Sequence, residues 1–390
     1  MKNALNICMV SYSFYEMDNR VRRYAETLAK LGNRVDVIAL RKEDAGFTET
    51  INGVQVFRIQ KRLLNEKGKI SYLLKILYFF IKSFILISGL YIKKRYEIIH
   101  IHNVPDFLVF TAFIPKLCGA KVILDIHDIL PEFYASKFSK NEKSSIIKSL
   151  KWIESISVKF SDHVIISNHL WGEKLVQRSA PNTKITVIMN YPDSTYFYPR
   201  NVKKIDGKII LTYPGTLNHH QGLDVAIRAL SLIKDKVQHV EFIIYGDGKD
   251  RLTLEAMVSE LGLEKQVLFK GRLPLDMLAE EVSKADIGIV PKRDDNFGGE
   301  AFSTKTLEFM AMGIPVIVSA TKIDRYYFSD SVVRFFKPDD ANDLSAAMKQ
   351  LIENVDDRKR LSENAAEFVK EMSWEVRKKE YLDIVESLAS

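Results

Sequence analysis

The stretch EAFSTKTLEFMAMGIPVIVS, residues 300–319, decides how the rest of the chain is read. Glu300 precedes a helical pattern and Glu308 lies inside it, with Lys305 three residues before the second glutamate. Gly313-Ile-Pro ends the helix, and the apolar run PVIVS reads as a buried strand. Carboxylates are good acceptors for hydroxyl groups. One loop-helix unit can therefore hold two hydroxyl-bearing parts of one ligand. A glutamate pair alone is more often a pair of solvated helix residues; the whole string is the specific signal.

Outward from this stretch, short apolar strands alternate with helical segments. NICMVSY (6–12), RVDVIAL (34–40), EIIHIHN (97–103), KVILDIHD (121–128), HVIISN (163–168) and KITVIMN (184–190) form one set. KIILTYPG (208–215), EFIIYGDG (241–248), QVLFKG (266–271), ADIGIVP (285–291), PVIVS (315–319) and VVRFF (332–336) form a second. The pattern predicts an α/β chain of two Rossmann-like, doubly wound parallel-sheet domains. Proline, Asp and Asn turn formers and a basic run in NYPDSTYFYPRNVKKIDGK (190–208) mark the break between them. The predicted boundaries are 1–190, a linker at 191–206, 207–372, and a terminal helix over 373–390.

The chain has 390 residues, 46% of them hydrophobic and 27% charged, which excludes a disordered or fibrous protein. Cys8 and Cys118 sit in apolar contexts and read as two buried thiols in a reducing compartment. No Cys/His cluster has zinc-ligand spacing. MKNALNICMVSYS runs directly into a strand, with no pattern of a cleaved signal peptide. Residues 1–200 carry 30 Lys+Arg against 18 Asp+Glu, a net +12, while residues 201–390 carry 27 against 32, a net −5. That polarity suits an anionic membrane or a phosphate-bearing substrate. Nucleic acid is not expected, because no recognition module is present.

ISYLLKILYFFIKSFILISGLYI, residues 70–92, is long enough for a bilayer span, yet Lys75 and Lys82 interrupt it. The expectation is a helix of the first domain with an apolar outer side on the membrane interface. A buried core helix is the plainer alternative. A true span would remove a crossover helix from the sheet.

Candidate chemistry collects at strand ends, where α/β sheets place ligands. The first domain offers His127 and Asp128 in DIHDILPE, His102 and Asn103 in HIHNVPD, and Arg20, Arg22 and Arg23 at the start of the first helix. His100 and His102 suggest a metal only if a third ligand exists. The second domain offers the glycine turn YPGTLNHHQGLD, containing Gly215, Thr216 and Gly222, then Gly246 and Gly248, and Gly271 with Arg272. Such turns beside helix starts can present N–H groups to a diphosphate.

Residues 300–319 resemble the Glu-x7-Glu signature of retaining nucleotide-sugar glycosyltransferases of family 4, which have the GT-B fold. The resemblance spans nearly the full chain and is strongest over 208–320. It implies two domains facing an interdomain cleft, with the C-terminal helix crossing back to the first and Trp374 as its anchor. It implies His127, Glu300 and Lys305 as catalytic, and Gly215, Thr216, Gly246, Gly271, Arg272, Ser303, Thr304, Lys305 and Glu308 as donor-binding. Arg20, His102, Asn103 and Asp128 fall on the acceptor side, Asp128 as a holder of the His127 tautomer. Thr216 and Gln221 stand where many members carry Arg and Lys. Lys305 is the expected replacement, with Arg272 and Lys292-Arg293 in reserve. The implied activity is metal-independent, cofactor-free transfer with retention, from a UDP-sugar to a lipid-linked or oligosaccharide acceptor. The implied setting is bacterial surface polysaccharide synthesis, in the cytoplasm at the inner face of the membrane. The alternatives are a nucleotide-sugar epimerase, which shares the two-domain architecture, and a non-catalytic sugar-nucleotide-binding partner of another transferase.

Overall fold

The computed structural model describes residues 4–62, 69–138, 144–202, 207–295 and 297–390. Part of the 191–206 linker, residues 203–206, lies outside these. The chain forms two compact units, Met1–Asn190 with Lys378–Ser390, and Tyr191–Arg377.

The first unit is built on β1 (Asn6–Phe14), β2 (Arg34–Arg41), β3 (Thr48–Ile51), β4 (Val54–Lys61), β5 (Ile98–His102), β6 (Lys121–Ile126), β7 (His163–Ile166) and β8 (Ile185–Val187). They form one sheet in the order β3-β4-β2-β1-β5-β6-β7-β8. Near-continuous Val, Ile and Leu runs make the central strands, which are covered on both faces. The order reverses between β1 and β5, so the loops after β1, β5 and β6 gather at one point of the carboxyl edge. The sheet is not purely parallel, as the sequence had suggested. β3 pairs antiparallel with β4 through Asn52 and Gly53, both at positive φ. Asn-Gly is the strongest short hairpin signal, and here it turns a short polar edge strand back onto β4.

Helix Lys69–Lys94 connects β4 to β5. It sets Ile76, Phe79, Ile87 and Tyr91 inward and leaves Leu73, Leu74, Leu77, Ile81, Ile85 and Ile92 exposed. It is long and apolar enough to cross a membrane, but only 22% of its apolar window is buried, so it is not a core helix. Helix Trp374–Ala389 ends the chain. From Lys378 onward it belongs to the first unit. There Tyr381 is fully buried, packs 4.2 Å from the Tyr24 ring, and meets His100 Nδ1 at 3.0 Å. Trp374 is also buried.

The second unit has β9 (Ile209–Pro214), β10 (Val240–Tyr245), β11 (Val267–Gly271), β12 (Ile287–Val290), β13 (Val316–Ser319) and β14 (Arg334–Phe336). All pair in parallel, in the order β11-β10-β9-β12-β13-β14. The reversal falls at β9, which places the loop of Gly215 at the switch point. Leu211, Ile227, Leu230, Ile244, Ile289, Met348 and Leu351 are among its core residues. Helix Thr304–Ala311 seats on β12 at Gly288, where a Cβ would lie 2.6 Å from the Phe309 ring.

Candidate active site

In the first unit the parallel register sets His102 beside Asp125 on adjacent strands. Strand pleating puts His100 on the His102 face, and Asp125 on that of His127. Asp125 Oδ2 is 3.1 Å from both His102 Nδ1 and His127 Nε2. Arg20 closes the group. Its Nε and Nη2 donate to the two Asp125 oxygens at 2.8 Å, and Nη1 donates to Asn190 at 3.0 Å. Asp18 caps the helix carrying Arg20 by accepting from Val21 N.

The electrostatics follow. Burial alone would raise the Asp125 pKa, but the Arg20 guanidinium and the two imidazoles hold it well below the usual carboxylate range. Burial pushes His100 and His102 down, so both rings are neutral at pH 7. Asn103 braces the loop after β6. It accepts from His127 N at 2.8 Å and donates to Asp106 at 2.6 Å and to Asp128 O at 3.0 Å. Burial raises Asp106 to about 7 and also raises Asp128.

Two expectations change here. Arg20, expected on the acceptor side, is 4% exposed and bound to Asp125, so its guanidinium is spent inside the unit. The carboxylate on the His127 ring is Asp125, not Asp128, because residues two apart share a pleat face. On the helix after this loop, Glu132 pairs with Arg178, which also holds buried Glu154. Asp125 supplies the third group that a metal reading of His100 and His102 lacked, with candidate atoms within 4.8 Å of one another. The guanidinium on both its oxygens puts positive charge where a cation would sit, so this donor set does not suit a metal.

In the second unit three glycine turns lie side by side. Gly215 N donates to Tyr245 O at 2.8 Å, Gly246 N to Gly271 O at 2.7 Å, and Leu217 N to Asp247 O at 3.1 Å. A Cβ at Gly246 would fall 1.8 Å from Gly215 O, and one at Gly248 2.2 Å from Leu217 O. The glycines thus serve the approach of one turn to another. The amides of Gly215, Leu217 and Gly246 are thereby spent on neighbouring turns, so these three do not face a diphosphate.

Lys305 occupies the space beside Gly215 that a side chain would have taken: a Cβ there would lie 2.4 Å from Lys305 Cε. Its ammonium is 3.4 Å from Gln221 Oε1 and 5.4 Å from the centre of the Tyr213 ring. Burial lowers its pKa and nearby Glu308 opposes the shift. Neutral Gln221 accepts this ammonium where a second cation would repel it. Ser303 Oγ and Thr306 Oγ1, at the start of the same helix, are shielded and without a partner among the described residues. Thr216 and Arg272 are exposed, and Thr304 is half-buried.

Lys292 is not a free cation. It is 5% exposed, its ammonium donates to Gly298 O and Ala301 O at 3.1 and 2.6 Å, and it sits 3.0 Å from Asp324. It clamps the turn that carries Glu300, whose carboxylate meets Lys322 at 3.1 Å. Arg293 is paired with Asp224 and Asp339. Of the reserve cations, only Arg272 faces solvent, and the sequence could not show that Lys292 is spent inside the unit.

Residues 17–191 match the glycosyl transferase 4-like domain, and residues 197–368 match the glycosyl transferases group 1 model. The gpi3 subunit of phosphatidylinositol N-acetylglucosaminyltransferase from Schizosaccharomyces pombe is 25% identical over 94% of this chain and 77% of its own length. An uncharacterized glycosyltransferase of Methanocaldococcus jannaschii is 26% identical over 76% of this chain and 74% of its own. Sucrose-phosphate synthase from Thermosynechococcus elongatus aligns with a TM-score of 0.79 at 19% identity, covering 98% of this chain and 99% of that one. Anabaena HepE, solved with UDP-glucose, aligns at 0.72 and 15% identity, over 98% and 100%. Likeness at these identities establishes the fold, which is GT-B.

Proposed function

We propose that this glycosyltransferase, whose two halves match a glycosyl transferase 4-like domain and a group 1 domain, moves a sugar from a UDP-sugar to an acceptor hydroxyl with retention and without a metal. The observation that carries this is Lys305, whose ammonium lies over the Gly215 turn at the switch point of the second sheet. On the same loop-helix unit, Glu308 takes the ribose hydroxyls and Glu300 the donor sugar. Charge grows on the departing diphosphate in the transition state. A fixed cation in a partly dry site is worth more there than in the ground state. His127, 20% exposed at the other carboxyl edge, is the one imidazole of its group open to a substrate.

The acceptor is a lipid-linked saccharide or an oligosaccharide of bacterial surface polysaccharide assembly. The apolar face of helix Lys69–Lys94, followed by exposed Lys93 and Arg95, supports peripheral contact with the anionic inner face of the cell membrane. The deciding experiment is a saturation-transfer screen of nucleotide sugars, followed by incubation of the bound sugar with lipid extracts and NMR of the product's anomeric centre. Product of the same anomeric configuration as the donor supports the reading. Inverted product refutes retention, and isotope exchange into the donor without an acceptor supports an epimerase instead.

A further inference from the structure

Asp125 is shared by more groups than its two oxygens need for burial alone. Arg20 takes both oxygens, and His102 Nδ1 and His127 Nε2 both face Oδ2. The two ring nitrogens are 3.3 Å apart. A lone pair on either one would face the carboxylate at 3.1 Å and be repelled by it, whereas an N–H would donate to it. His102 has one proton to place. Its Nε2 is buried without a partner among the described residues. An orphaned lone pair is cheaper to bury than an orphaned N–H, so the proton sits on Nδ1 and points at Asp125. His127 then meets the same oxygen with its own Nε2–H. Its backbone is held independently. Asn103 accepts from His127 N, and Ser167 Oγ donates to His127 O at 2.7 Å, so the backbone from which the ring projects is fixed on both sides.

We propose that Asp125 is a positioning residue that holds His127 as the Nε2–H tautomer, so that the neutral ring offers a lone pair on Nδ1 to a substrate hydroxyl. The consequence for transfer rests on the glycosyltransferase reading; the tautomer does not. His127 in this state accepts a hydrogen bond from the sugar or acceptor, and can donate one from Nδ1 only after protonation. Arg20 keeps Asp125 ionised, and so keeps the tautomer fixed.

The test is a long-range proton–nitrogen NMR correlation on the full chain labelled with ¹⁵N-histidine. The eight histidines are reduced to the relevant signal by comparison with His127→Gln. For the neutral ring, the expected pattern has protonated Nε2 and bare Nδ1, with the Nε2 proton shifted downfield and slow to exchange. A proton on Nδ1 overturns the proposal. So does an Nε2 proton that exchanges as fast as that of an exposed imidazole, because it would then lack the carboxylate. Asp125→Asn, where it folds, should give a mixture of tautomers; an unchanged pattern there removes Asp125 from the role. Where it does not fold, the wild-type spectrum still decides. No nucleotide sugar is needed, so failure of the functional reading and failure of this one are told apart.

Discussion

The two carboxyl edges use opposite means to prepare a site. In the first unit the charges face inward: Arg20, Asp125, His100 and His102 are all nearly or fully buried and spend themselves on one another. The product is the fixed pose of one half-open ring, His127. In the second unit glycine removes side chains and lets turns touch, and the space left beside Gly215 is filled by the ammonium of Lys305. The first edge costs stability if any member is lost. The second costs binding but little stability. A buried charge has no water to fall back on, whereas a site that awaits a ligand must leave its charge partly unspent.

The strongest way to break this contrast is Asp125→Leu. It strands Arg20 in the interior, and removing one partner of a buried pair costs about 3–5 kcal/mol. Denaturant unfolding should show that loss, and the Arg20→Leu/Asp125→Leu double variant should recover much of it. Glu300→Gln in the second unit should cost under about 0.5 kcal/mol. Equal losses would dissolve the distinction.

Asp106 offers a sharper version through pH. Its folded pKa of about 7 lies above the 3.8 of the free carboxyl, with burial as the cause. The folded state therefore holds the proton more tightly. The stabilisation is complete below about pH 4 and is lost as pH rises through about 7, by at most about 4 kcal/mol. Asp106→Asn keeps the shape and the acceptor for Asn103 but has no proton to lose. Stability profiles of the two proteins should diverge between pH 4 and 8, with the variant gaining relative to the parent as pH rises. Parallel profiles would show that Asp106 is not buried as described.

On the other edge, Lys305→Ala should leave the unfolding midpoint in place and weaken UDP binding by about 1.5–3 kcal/mol, the range for a hydrogen bond to a charged group. Lys305→Arg should recover only part, because a planar fork replaces a compact ammonium. Calorimetry on Lys305→Ala and Arg272→Ala decides between the two cations. Loss confined to Arg272→Ala would move the clamp to that exposed arginine. Lys292→Ala should behave like a first-edge residue and lose stability, since its ammonium is already spent on Asp324 and two carbonyls.

The smallest effect on the fold is expected outside both edges. Leu77→Ser with Ile81→Ser removes exposed side chains, and should change stability by under about 0.5 kcal/mol. Flotation with anionic vesicles should nevertheless fall, and the parent's binding should weaken with salt. Undiminished flotation would leave the exposed apolar face unexplained.

Much of this was legible in the residues. Every strand of the second unit was read as a strand, because parallel strands buried on both faces appear as short apolar runs. Helix Thr304–Ala311 and β13 after it were visible for the same reason. The β3–β4 hairpin was missed although Asn52-Gly53 announced it, because its strand Thr48–Ile51 is polar and largely exposed. Helix Lys69–Lys94 was recognised as apolar, but composition could not say which side was covered.

Sequence alone determined the alternation of strands and helices, the two-domain division near residue 190, the glycine turns, and the loop-helix unit carrying Glu300, Lys305 and Glu308. These are local properties, set by side-chain periodicity and backbone preference over a few residues. Tertiary structure decided what each charge is for. Arg20 and Asp125 are 105 residues apart in the chain and 2.8 Å apart in space. Lys292 and Lys305 look alike in sequence, yet one is bound to Asp324 and the other lies over a glycine turn. Whether a charge is spent or available depends on the register of neighbouring strands and on what burial leaves beside it. Both are set only when distant segments pack.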